Sequence, residues 1–297
     1  MFLSGRKFLT AAASFCIFHG LPLLAVDSPL DNPLPDKSAF SIFNPAPAAL
    51  MRELATDRPD KTESPHTVDA GHFQIEMDLL SYVFDRYNSD RRDVRTESFG
   101  FATTNLKMGL CSFADFQLLV PAYNRVHFDD RASGRVMNHS GFGDLVARTK
   151  INLWGNAAGS TAFGVMPFIK FPSNQDDLGN NSVEAGLILP LSVQWPGGWQ
   201  MGVMTELDLN RDESGSGHHA EFVNSITFSH ELIGKLDGYA EFFSAVSAEA
   251  GADWIGTVDL GLVYALTENV QLDAGINLGI TRAADDFNPF VGITFRF

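Results

Sequence analysis

From Asn269 to Phe297 the chain alternates with a period of two. Val270, Leu272, Ala274, Ile276, Leu278 and Ile280 are apolar, and Gln271, Asp273, Gly275, Asn277, Gly279 and Thr281 between them are polar or very small. After Arg282 to Asn288 the pattern resumes, with Val291, Ile293, Phe295 and Phe297 set against Gly292, Thr294 and Arg296. Successive side chains of a strand point to opposite faces, so each run carries one oily and one polar surface. In a water-soluble sandwich the oily face is the core. In a transmembrane barrel it meets lipid, and the polar face lines the interior.

The whole chain decides between the two. From His72 onward, strand-length alternating runs follow one another about a dozen times, each ended by a turn, which is the pattern of a barrel or a sandwich. The apolar faces are nearly free of charge, as in Phe73, Ile75, Met77 and Leu79, in Phe116, Leu118 and Val120, and in Val183, Leu187, Leu189, Leu191 and Val193. The connections alternate in length. Short ones fall at Leu110 to Ala114, Gly155 to Gly159, Pro196 to Gly198, Glu231 to Lys235 and Thr267 to Glu268. Longer polar loops lie at Arg86 to Val94, Asn124 to Gly141, Pro172 to Ser182, Asn210 to His219, Ser247 to Asp253 and Ala283 to Asn288. One rim of short turns and one of long loops is the habit of outer-membrane barrels. The expected fold is all-β, a transmembrane antiparallel up-and-down barrel of about 12 strands over residues 72–297. Trp154, Trp195 and Trp199 near short turns suit an interfacial girdle, with Trp254 at the opposite rim.

The front of the chain points to export. Met1 to Ala25 reads as a secretory signal peptide, with Arg6 and Lys7 ahead of a short apolar run and a cleavage site after Leu23-Leu24-Ala25. Residues 26–71 then form an irregular periplasmic segment. Cleavage removes Cys16 and leaves Cys111, so the mature chain has no intrachain disulfide. Beyond the signal no apolar run reaches the roughly 18 residues that a spanning helix needs. A closed sheet is then the remaining way into a membrane, because lipid cannot satisfy an open backbone edge. A hydrophobic content of 45%, with 25 Phe, excludes a disordered chain, and a net charge of −15 argues against nucleic acid as a partner.

Several stretches resemble a known family. They are ATDRPDKTESPHTVDAGHFQIE from Ala55 to Glu76, SGFGDLVARTK from Ser140 to Lys150, MPFIKFP from Met166 to Pro172, EAGLILPLSV from Glu184 to Val193 and LTENVQLDAGINLGIT from Leu266 to Thr281. Together they are similar to the outer-membrane transporters grouped with the MetA pathway of phenol degradation. The resemblance covers roughly Ala55 to Phe297 and implies a barrel in the outer membrane of a Gram-negative bacterium, passing aromatic or hydrophobic compounds. Lys61 departs from the opening motif, where an apolar or aromatic residue is expected.

The polar faces supply the candidate lumen lining: Glu76, Asp78, Lys107, Gln117, Arg148, Lys150, Lys170, Glu184, Glu206, Asp208, Glu221, Asp237, Glu241, Asp259, Asp273 and Arg296. Acids outnumber bases among them, which favours cations if the lumen conducts. Asp144, Arg148 and Lys150 share a parity and are expected to pair with one another, while Gly141 and Gly143 turn the chain into the fourth strand. The charged run Asp57, Arg58, Asp60 and Lys61 could dock in the periplasmic mouth as a strap or plug, or belong to a disordered leader. His139 beside Ser140 raises an outer-membrane phospholipase, but adjacent residues in a Gly-rich loop lack the spacing of an activated serine. His218 and His219 beside Glu221 could hold a metal, yet no third ligand is evident. No cofactor, metal site or enzymatic activity is expected. The expected partners are outer-membrane lipids, the barrel assembly machinery acting on the strand that ends at Phe297, and a small molecule. The functional expectation is a channel or facilitator for small molecules, with a structural or adhesive barrel as the alternative and a phospholipase as the third reading.

Overall fold

The computed structural model describes residues 36–88, 93–213, 215 and 217–297. The expected signal peptide at Met1 to Ala25 lies outside these residues. Residues 36–72 form an irregular segment with a single 3-10 turn at Ala48–Leu50. After it come β1 (Phe73–Asn88), β2 (Val94–Cys111), β3 (Ala114–Asp130), β4 (Arg135–Gly141), β5 (Leu145–Trp154), β6 (Thr161–Phe171), β7 (Glu184–Gln194), β8 (Gln200–Arg211), β9 (His218–Ile233), β10 (Leu236–Ser247), β11 (Ile255–Thr267), β12 (Val270–Gly279) and β13 (Phe287–Arg296).

Each strand pairs antiparallel with its neighbour, β13 pairs with β1, and β1 and β3 both pair with β2, so the sheet closes on itself. The thirteen strands fill twelve places in the ring. β3 pairs with β4 through Asn124 to Asp130 and with β5 through Ala114 to Leu119, which puts β4 and β5 in one place, split at residues 142–144. At the split the Gly143 amide donates to the Pro121 carbonyl at 3.0 Å, and a Cβ on Gly143 would lie 2.8 Å from the Pro121 ring.

The expected loop from Asn124 to Gly141 is therefore corrected to a hairpin, β3 with β4, that rises above the rest of the wall. Its residues alternate weakly because a hairpin outside the bilayer needs no oily face. The same reason hid the outer half of β2, Val94 to Gly100, which is polar where it leaves the membrane.

The burial pattern is inside out relative to a soluble protein. Asp115, Gln117, Lys150 and Asp259 are fully buried, whereas Leu260, Leu262 and Val291 stand 44%, 46% and 43% exposed. Charge in the interior and oil on the outside is what a barrel in hydrocarbon requires. In β1 the register shifts between Asp78 and Leu80, and Leu79 and Leu80 both point outward. This bulge moves the inward parity from Gln74, Glu76 and Asp78 to Asp85 at the outer end.

Candidate functional site: a lumen filled by the N-terminal segment

The interior is organised by residues 52–70, which lack the alternation of a strand and run inside the ring. Asp57 is the deepest anchor. Its carboxylate lies between the ammonium groups of Lys107 on β2 and Lys150 on β5, and Lys107 also pairs with Glu76 on β1. All four side chains are at most 4% exposed. Two cations between two anions, with Gln74 donating to Glu76 at 2.7 Å, leave no single charge alone in a low-dielectric space.

Arg58 reaches the opposite wall. Its guanidinium forks between Asp78 and Asp273, at 2.6 Å from each, and lies over the Phe290 ring. Gly292 makes the approach possible, since a Cβ there would stand 2.1 Å from the guanidinium. Lys61 donates to Thr257 at 2.9 Å and pairs with Asp259 at 3.1 Å, with its ammonium 4.4 Å from the centre of the Phe243 ring. The residue that departs from the expected motif thus has an acid and an aromatic face as partners. The amides of Lys61 and Thr62 donate to the two oxygens of Glu241 at 2.9 and 2.8 Å, and Glu63 pairs with Arg148. Further along, Asn152 donates to the Pro65 carbonyl at 2.9 Å and the Val68 amide donates to Asp115 at 2.9 Å. At the short-turn rim Arg296 donates to the Arg52 carbonyl at 2.8 Å, and Asp69 is held by Lys37 and Arg52.

Among the residues singled out from the polar faces, the structure brings Glu76, Asp78, Lys107, Arg148, Lys150, Glu241, Asp259, Asp273 and Arg296 onto this segment. Gln117 lies beside it, bonded to Asn105 and Asp115. Asp60 is half-buried on the segment itself. Lys170 and Glu184 pair with each other at 2.6 Å toward the outer end, where Glu206, Asp208 and Glu221 are half-buried on β8 and β9. Asp237 stands apart, exposed at the short-turn rim beside its cross-strand partner Glu231.

The pairing expected among Asp144, Arg148 and Lys150 is corrected. Asp144 accepts from the amide and the side chain of Asn174 at 3.0 and 2.8 Å, while the two cations pair with Glu63 and Asp57. Parity gave each side chain its face, but its partner comes from another part of the chain. His139 and Ser140 are neighbours on β4 and so point to opposite faces. The His139 ring bonds the Asp176 carbonyl at 2.7 Å.

One part of the interior is apolar. Met166, Ile188, Met204, Val223 and Ala245 form a buried cluster along the inner faces of β6 to β10, with Phe168, Phe243 and Ile255 packed against it. Apolar residues at both parities in MPFIKF and LILPLSV were the sequence signal for a wall oily on both sides. On the membrane side of the same strands lies a depression of about 440 Å³ lined by Phe163, Leu189, Leu191, Val203, Ile226 and Phe242, with the polar pair Thr205 and Asn224 among them.

A closed twelve-place barrel, oily outside and filled by its own N-terminal segment through buried ion pairs, has the fold of an outer-membrane barrel. The family described as "Putative MetA-pathway of phenol degradation" matches residues 56–297, and the chain belongs to it. Among solved structures, the COG4313 outer membrane channel from Pseudomonas putida F1 is similar at 14% identity and a TM-score of 0.57, covering 82% of this chain and 100% of that one. The translocator domain of the autotransporter NalP from Neisseria meningitidis aligns at 11% identity and a TM-score of 0.47, over 76% of this chain and 88% of its own. The CymD monoaromatic hydrocarbon channel aligns at 10% identity and a TM-score of 0.42, over 76% and 88%. Likeness at these identities is likeness of fold. No curated protein matches the chain.

Proposed function

We propose that this protein sits in the outer membrane of a Gram-negative bacterium, surrounded by its lipids, and passes small hydrophobic molecules, aromatic compounds among them. The observation that carries this reading is the division of the interior. Residues 52–70 hold the charged part with ion pairs and on their other side rest on the inner face of β6 to β10, where the Glu63 amide lies 3.4 Å from the Met204 sulfur beside the buried apolar cluster of Met166 and Ile188. The lumen is filled against hydrated solutes, whereas an apolar solute gains by replacing the segment on its oily side when that side lifts from the wall. The wall there also suits passage between the strands. Pro167 on β6 and Pro190 on β7 have no N–H to give to the ladder, and the outer depression lies over the same strands.

The test is flux into proteoliposomes of a small aromatic hydrocarbon against a disaccharide, with wild type and Met204→Asp. Wild type is expected to admit the aromatic faster than protein-free vesicles do and to exclude the sugar. Met204→Asp is expected to lose at least half of the aromatic flux while keeping its heat-modifiable gel mobility. Equal flux with and without protein would refute the channel and leave a structural or adhesive barrel.

A further inference from the structure

At the long-loop rim, away from the segment that fills the lumen, three side chains converge. Asp212 follows β8, His219 is the second residue of β9, and Glu249 lies in the connection between β10 and β11. One oxygen of Asp212 is 3.1 Å from the Nδ1 of His219, and one oxygen of Glu249 is 3.6 Å from that same nitrogen. Among the described residues this is the group of three that could share an ion, with its ligand atoms all within 4.8 Å of one another. We propose that Asp212, His219 and Glu249 bind a first-row divalent cation, of the zinc or manganese kind, which ties together the two outer loops.

The charges ask for a cation. An imidazole Nδ1 carries at most one proton, which it can share well with one carboxylate, so two carboxylates beside one ring leave an excess of negative charge among the described residues. Arg211 donates instead to the carbonyls of Asn180, Asn181 and Gly215. The spacing suits a metal as well. Nitrogen and oxygen donors about 2.1 Å from one ion stand roughly 3.0–3.4 Å apart, close to the two distances observed. The donors are held before an ion arrives. The Glu213 amide donates to the other oxygen of Glu249 at 2.8 Å, the Asp212 amide donates to the Gly217 carbonyl at 3.0 Å, and the absence of a side chain on Gly217 leaves room for the Asp212 carboxylate. His219 is 13% exposed, and the two acids are 27% and 25% exposed, which leaves water and ions a path. One nitrogen with two oxygens favours a transition metal over calcium, which takes six to eight oxygens. The group weighed and set aside from the sequence, His218 with His219 and Glu221, is not the one that converges. Neighbours on β9 face opposite ways, and the His218 ring bonds the Val183 carbonyl and Ser182.

The experiment is isothermal titration of zinc chloride into the full folded chain in detergent micelles at pH 7.5, after chelator treatment, with calcium chloride run in parallel. One zinc per chain is expected, with affinity reduced at least tenfold in His219→Ala and in the milder Glu249→Gln, and unchanged in His218→Ala. Heat-modifiable gel mobility checks that each variant is folded. No saturable zinc binding, binding that survives both His219→Ala and Glu249→Gln, binding lost in His218→Ala, or tighter binding of calcium than of zinc would each overturn the proposal.

Discussion

Arg58 satisfies the buried Asp273 and the half-buried Asp78 at once, so its loss takes their shared cation from two acids that flank Gly292 on one stretch of wall. Removing one partner of a buried pair costs roughly 3–5 kcal/mol, far more than the pair contributes against an apolar substitute. Arg58→Ala is expected to lower the midpoint of heat-induced gel-mobility change and to raise single-channel conductance, because the segment loses its hold on the β12 and β13 side. Lys61 is 30% exposed and leans partly on an aromatic ring, so Lys61→Met is expected to shift both readings in the same direction by less than half as much. Equal effects would show that the two anchors act as one unit. Single residues were legible in the sequence only to a point. Period two placed Glu76, Lys107, Lys150 and Asp273 inside, and the charge of Asp57 to Lys61 marked that run as one that could dock, but a stretch with no period gives no register, so which wall residue each charge meets was not legible.

Strands were read best where they cross hydrocarbon and worst beyond it. β12 and β13 carry their oily face along their whole length, whereas the β3–β4 hairpin and the outer half of β2 stand clear of lipid and lose the alternation that defines a strand from sequence. The packing of the N-terminal segment on the strands was also hidden, since it depends on glycines that look like ordinary members of a polar face. Gly109 on β2 is the sharpest case: a Cβ there would lie 2.0 Å from the Asp69 carbonyl oxygen, a backbone atom that cannot swing away. The Gly109 carbonyl also accepts from the Gly71 amide at 2.8 Å, so the two chains are fastened at this point. Gly109→Ala is expected to destabilise the protein by about 1–3 kcal/mol, as overpacking does elsewhere, and to lower the urea midpoint of unfolding in detergent. An unchanged midpoint would mean that residues 69–71 can lift off the rim freely.

For the molecule as a whole, acids outnumber bases both on the inner wall and on the segment inside it, and the segment's own bases are placed against the wall's acids at particular points. On the wall, Glu76, Asp78, Asp115, Glu184, Glu206, Asp208, Glu221, Glu241, Asp259 and Asp273 stand against Lys107, Arg148, Lys150, Lys170 and Arg296. The segment offsets part of this excess where Arg58 and Lys61 dock, while Glu206, Asp208 and Glu221 near the outer end lie beyond the ion pairs that it makes. A lumen opened by Arg58→Ala should therefore attract cations, since acids facing a narrow water-filled path concentrate counter-ions. In a tenfold potassium chloride gradient across a planar bilayer, the Arg58→Ala channel is expected to show a reversal potential on the cation side. Adding Glu206→Gln and Asp208→Asn is expected to move it toward zero without restoring the closed state. Buried pairs are screened weakly by salt, so wild type is expected to remain poorly conducting from 0.1 to about 1 M salt. Conductance that rises out of proportion to the salt would show the segment held by charges open to solvent, and a reversal potential on the anion side would place the conducting path elsewhere than along the acids of β8 and β9.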